Sequence, residues 1–346
     1  MLDCSEDFSI PDLMERICDR RKAETEKGTV ADYIPELAST DPSKFGISVC
    51  LADGRQFSAG DATTAFSIQS VSKVFTLAIA LGRYGDGFWQ RVGREPSSNA
   101  FNSLRELEAR NGIPSNPFVN AGAIVTTDMV MAQSMPAETL AEILHFVSVA
   151  ASDTGIRIDP SVANSEELSG HKNWALAHVL AAYGNLRHAC ELTLGTYFHH
   201  CAIEMTCEQL ARSGRFLANF PDERPLVPSD RVKSINALMM TCGHYNGSGE
   251  FAYRVGLPGK SGVGGAILAI VPRIASIATW GPGLDRYGNS LLGTTALVEL
   301  SEALGWSVFL GGSRTLGVHD IQSRRCEARP FAVSKNAKVG SIGQMT

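Results

Sequence analysis

Several things are scarce in this 346-residue chain, and each scarcity removes a class of function. Positive charge is one: 31 Lys and Arg stand against 36 Asp and Glu, for a formal net charge of −5 and a pI of about 5.9. Nucleic acid or an anionic membrane surface would favour a basic face, so neither partner is expected. Long apolar runs are another. The longest, over 262–280, is broken by Pro272 and Arg273, so no segment reads as a membrane span. The opening MLDCSEDFSIPDL carries acids where an export signal needs a basic stretch and then an apolar one. The eight cysteines (4, 18, 50, 190, 201, 207, 242 and 326) form no CxxC pair, and they read as reduced, mostly buried thiols. A cytoplasmic protein is the expectation. No HExxH spacing occurs among the histidines, which leaves no zinc site, and there is no GxSxG elbow.

What is present is an ordinary globular composition, 44% hydrophobic and 19% charged, with length enough for a large core. Residues 10–37 read as helical. Apolar and polar residues alternate over 46–59 around Asp53-Gly54, the signal for two antiparallel strands joined by a two-residue turn. Val74, Leu77, Ala78 and Leu81 make a helical stripe over 70–84. The next 140 or so residues are rich in helix formers, broken at Gly112-Ile113-Pro114 and Asn116-Pro117. A helix follows near 229–241, then strands over 264–271 and 274–280, then a last helix over 292–304. Strands near both ends with helices between them predict an α+β fold. Its central antiparallel sheet draws on about 40–66 and 245–285, with flanking helices and an inserted helical lobe over about 70–230. Residues 1–310 are read as one domain, and 311–346 as a flexible extension.

Ser70-Val71-Ser72-Lys73 is the strongest chemical signal. Positions i and i+3 share a helix face, so a hydroxyl and an amine can meet. A serine in the first turn also sits at the positive end of the helix dipole. Lysine serves as a base only when burial or a nearby cation lowers its pKa. The motif is short, and Ser169/Lys172 repeats it by accident in the polar stretch SEELSGHKN. Lys260-Ser261-Gly262 is the second signal: a cation at a strand edge, beside backbone N–H groups able to form half of an oxyanion hole. A phosphate loop is excluded, because Arg254 stands where its first glycine is required. Glu166 and Glu167 read, on composition alone, as a solvated acidic face. His199 and His200 read as a helix surface or a packed interface.

SxxK opening a helix and KSG opening a strand, about 190 residues apart, resemble the layout of the serine β-lactamase and penicillin-binding fold. The strings DYIPELA (32–38), SIQSVSK (67–73), NPFVNAGAI (116–124), CAIEMTCE (201–208), CGHYNGSGEFA (242–252) and GLPGKSGVGG (256–265) resemble, in order, the serine-dependent glutaminase family. That resemblance implies hydrolysis of L-glutamine to L-glutamate and ammonia without metal or cofactor. It implies Ser70 as nucleophile, Lys73 as its lysine and Tyr245 as proton shuttle. Substrate contacts fall on Tyr33, Ser70, Asn120, Glu166, Asn173, Tyr197, Tyr245 and Val263, with Lys260 a further candidate. Glu166 would pair the substrate ammonium, and the backbone of Ser70 and Val263 would hold the oxyanion. A homo-oligomer, dimer or tetramer, is also implied. Two rivals remain at this point: a β-lactam-processing enzyme of the same fold, and an inactive amino-acid-binding or scaffold protein.

Overall fold

The computed structural model describes residues 9–97, 102–220 and 225–310. Its first helix, Ile10–Ala23, turns Ile10, Leu13, Met14 and Ile17 inward and ends on Arg20, Arg21 and Lys22, where cations oppose the helix dipole. The continuous helix expected over 10–37 is instead two pieces, the second being the short Pro35–Ala38. Gly28 adopts φ +80, and Thr29 pairs with Leu284 as an isolated bridge, so the chain between the helices is drawn onto a distant loop.

Strands β1 (Gly46–Leu51) and β2 (Gln56–Gly60) pair antiparallel with Val49 opposite Phe57. Their turn has three residues, 52–54, rather than two: Leu51 N–H donates to Arg55 O at 2.8 Å. Gly54 takes the left-handed position at φ +85, which a side chain would resist. A small second sheet, unseen in the sequence, joins β3 (Phe66–Ser67), β4 (Arg157–Ile158) and β5 (Ile203–Met205) in the order β3-β5-β4. Strands of two or three residues carry too little alternation to be recognised.

The main sheet is completed by β6 (Gly259–Ser261), β7 (Ala266–Val271) and β8 (Ala275–Trp280), in the order β2-β1-β8-β7-β6 with every pairing antiparallel. Every residue of β7 and β8 is buried, which is why AILAIV reads as a continuous apolar run. Helices Ile10–Ala23 and Leu291–Leu304 and the shorter Cys207–Ser213 and Arg215–Ala218 pack against the sheet. Between the halves of the sheet, helices Ser72–Tyr84, Asn120–Met131, Pro136–Ala151 and Cys190–Cys201 pack on one another. His200 lies inside that lobe, with Nδ1 2.9 Å from Ser72 Oγ and Nε2 3.0 Å from Thr127 Oγ1. Burial, with the Lys73 charge next, holds its pKa down at about 3, so it is a neutral strut in the core. His199 stays on the helix surface, bonded to Gly195 O. Among the described residues no helix is long and apolar enough to cross a membrane. The extension expected over 311–346 lies outside the described residues.

Candidate active site

The chain leaves β3 through a strained turn. Gln69 sits at φ +49, a left-handed conformation that costs a residue with a side chain on the order of 1–3 kcal/mol. Three bonds hold it there: Val71 N–H to Ile68 O at 3.0 Å, Ser72 Oγ to Gln69 O at 2.7 Å, and Gln69 Nε2 to Ser67 Oγ at 2.9 Å. Ser70 therefore lies in a 3-10 turn, Gln69–Val71, and the α-helix begins only at Ser72. This corrects the expectation of a serine inside the first α-helical turn. The turn also lets another backbone come close. A Cβ on Gly262 would fall 2.5 Å from Ile68 O and 3.3 Å from Ser70 N, so only glycine brings the Lys260-Ser261-Gly262 segment and Val263 against Ser70.

Lys73 is fully buried and donates to Asn120 Oδ1 at 2.7 Å and to Phe118 O at 3.3 Å. Burial lowers its pKa from 10.5 to about 8, against the opposing pull of Cys201 and Glu166. Asn120 passes the network on, its Nδ2 donating to Asn173 Oδ1 at 2.9 Å. Glu166 is 7% exposed, bonded to Gln69, and its Oε1 has no partner. Burial raises its pKa to about 7, with the Gln69 bond and Lys73 pulling down. Glu167 beside it is exposed, so the acidic pair splits between core and solvent.

Tyr245 stands across from this group, hydrogen-bonded to Ser70 and itself at φ +52. Burial pushes its phenol up, more than the Ser70 bond pulls it down, so it rests protonated. The Lys260 amine lies 4.8 Å from the Tyr245 ring centroid and donates to Ser261 O. Burial first, then the Lys73 charge, holds that amine well below its ordinary value. Tyr197 is buried, with its ring 5.8 Å from Lys73 Nζ and its hydroxyl bonded to Cys201. Val263 packs with Ala31, Ile34 and Leu37 and with Tyr245, which brings the segment carrying Tyr33 to the same place. Tyr33 is 55% exposed as a residue, yet burial raises its phenol, followed by Tyr245 and Glu166.

Every candidate residue from 33 to 263 is thus tied to one locality, whereas Ser169 and Lys172 are not. Ser169 ends helix Pro160–Ser169 by bonding Ser165 O, and Lys172 is exposed on the next helix. Three further residues belong to the group: Gln69, Cys201 and Phe118. Each lies within a string already singled out, but only the fold brings these parts of the strings into contact.

A buried serine on a strained turn, a desolvated lysine three residues on and a second lysine on an edge strand, set on this antiparallel sheet and its helices, belong to the serine β-lactamase-like fold class. The glutaminase family profile matches residues 28–309. The chain is 55% identical over 307 residues to the glutaminase of Methylobacterium radiotolerans, covering 87% of this chain and 99% of that one. It is 57% identical over 289 residues to the glutaminase of Mesorhizobium japonicum, covering 82% and 92%. Among solved structures, the probable glutaminase of Bacillus subtilis complexed with 6-diazo-5-oxo-L-norleucine superposes with a TM-score of 0.78 at 31% identity, over 89% of this chain and 99% of that one. The chain belongs to the glutaminase family.

Proposed function

We propose that the chain is a glutaminase that hydrolyses the side-chain amide of L-glutamine through an acyl-enzyme on Ser70. One observation carries the reading: a carboxylate oxygen, Glu166 Oε1, is buried without a partner next to the strained serine turn. Leaving such an atom unpaired is costly, and a substrate ammonium would satisfy it. Asn120, Asn173, Tyr33 and Tyr197 offer donors and acceptors for the rest of a free amino acid.

In the first half-reaction Ser70 Oγ bonds to the amide carbon and its proton passes to neutral Lys73. The protonated Tyr245 gives its proton to the departing nitrogen as the C–N bond breaks, releasing ammonia and leaving a phenolate beside Lys260. In the second, water attacks the acyl carbon and yields a proton to the phenolate. The Ser70 ester bond breaks, Lys73 returns the serine proton, and L-glutamate leaves. The N–H groups of Ser70 and Val263 hold the oxyanion in both steps, and removing one such donor typically costs about 3 kcal/mol of barrier.

We also take residues 1–310 as one domain, since strands from both ends of that span share a sheet. The assembly is a homo-oligomer, dimer or tetramer, and the compartment is the cytoplasm. Six described cysteines, all buried, support the latter. The test is ammonia release from L-glutamine and L-asparagine by the chain and by Ser70→Ala. Turnover of glutamine that disappears in the variant is expected. A chain that binds glutamine without turnover would instead be an amino-acid-binding protein.

A further inference from the structure

Behind the turn that carries Tyr245 lies a second cavity, of about 570 Å³, that no step of the proposed reaction uses. That volume suits a small molecule. Its lining includes His244 and Asn289, 1% and 3% exposed, and Thr294. Both ring nitrogens of His244, Asn289 Oδ1 and Thr294 Oγ1 are buried with no hydrogen-bond partner. Each such atom left unpaired costs on the order of 1–3 kcal/mol, so four around one cavity call for a polar occupant. Burial, with Lys260 next, holds His244 well below its ordinary pKa, so the ring is neutral and needs one donor and one acceptor opposite it. The open part of the lining carries both signs, Arg254 and Arg286 against Glu26, Glu250 and the half-buried Asp285, with Arg254 Nε 4.0 Å from Glu250. A simple anion or a simple cation would match only half of it; a zwitterion matches all of it.

We propose that this cavity binds a free α-amino acid as a second, non-reacting molecule, its carboxylate on Arg254 and Arg286, its ammonium toward Glu250 and its polar end at His244 and Asn289. Occupancy is felt at the catalytic side through short links. Asn289 Nδ2 donates to His244 O at 3.2 Å, the next residue is Tyr245, and a Cβ on Gly288 would touch the Tyr245 ring at 3.8 Å. That coupling rests on the role proposed for Tyr245, whereas the binding does not.

Equilibrium dialysis of radiolabelled L-glutamate against the full chain tests it. Two molecules per chain are expected. The double variant Arg254→Ala/Arg286→Ala should weaken one of them by about tenfold or more and leave the other molecule bound. Glu166→Gln should weaken the other. Glutarate, which lacks the ammonium, should not displace the molecule held by the arginines. One molecule per chain, lost in Glu166→Gln and indifferent to the arginines, overturns the proposal, as does displacement by glutarate as effective as by L-glutamate. A chain that releases no ammonia yet binds a second glutamate through the arginines would overturn the proposed reaction alone.

Discussion

Two buried carboxylates in the helical part of the molecule are treated in opposite ways. Asp128, on helix Asn120–Met131, receives Arg91 at 2.6 Å, His188 Nδ1 at 2.7 Å, and the backbone N–H groups of Arg187 and His188 at 3.1 and 2.9 Å. Glu166, on helix Pro160–Ser169, has the Gln69 bond and an oxygen with nothing opposite it, and burial drives its pKa to about 7. A carboxylate whose donors all come from the chain ties the fold together. One left short of donors weakens the fold and is completed from outside. Unsatisfied burial, more than burial itself, therefore separates the acid proposed to bind substrate from the structural one.

The contrast is broken most forcefully at its structural end. Asp128→Ala takes the counter-ion from Arg91, which keeps only its bonds to Asn185, and leaves the N–H groups of Arg187 and His188 without this acceptor; it should cost about 3–5 kcal/mol in urea unfolding, with KM nearly unchanged in the folded fraction. A loss below about 1 kcal/mol would erase the distinction.

Glu166→Gln should act in the reverse sense. The native state holds the Glu166 proton up to about pH 7, whereas the unfolded chain releases it near 4.5. Stability from this group therefore falls as pH rises from 4.5 to 7, and the variant escapes that fall, gaining up to about 3 kcal/mol above pH 7. The same change should raise KM at least tenfold. For the wild-type chain, kcat/KM should fall about tenfold per unit below pH 8 as Lys73 takes up its proton, and more steeply below about 7 as Glu166 does. In Glu166→Gln only the shallower limb should remain. An unaltered profile would detach Glu166 from the substrate.

Gln69→Gly gives the smallest effect. It relieves the left-handed strain, worth under about 1 kcal/mol of net stability, while KM rises a few-fold because Glu166 loses its one bond. Thermal denaturation and glutamine kinetics on the same preparation would separate the two.

Much of the fold was legible where patterns run long. The β1–β2 hairpin, helices Ser72–Tyr84, Ser229–Cys242 and Leu291–Leu304, and strands β7 and β8 follow apolar periods that span several residues. The break between Ile10–Ala23 and Pro35–Ala38 was not legible, because it depends on Thr29 bridging to Leu284 about 255 positions away. Nor was the 3-10 turn at Ser70, since Gln69 adopts a conformation its own sequence does not favour. The site residues could be named from their strings, but the pairings could not. That Ser70 meets Tyr245, that Lys73 is held by Asn120 and that Lys260 reaches the Tyr245 ring are facts of packing between elements far apart in the chain.

The sequence by itself determined the α+β arrangement and the family and named the candidate side chains, because periodicity, charge balance and ordered motifs are local properties of the chain. Only the tertiary structure decided which of those side chains would be desolvated and left short of partners. Lys73 near pH 8, Glu166 near 7 and a protonated Tyr245 arise from what surrounds each group in space, and burial, which sets those values, has no counterpart along the chain.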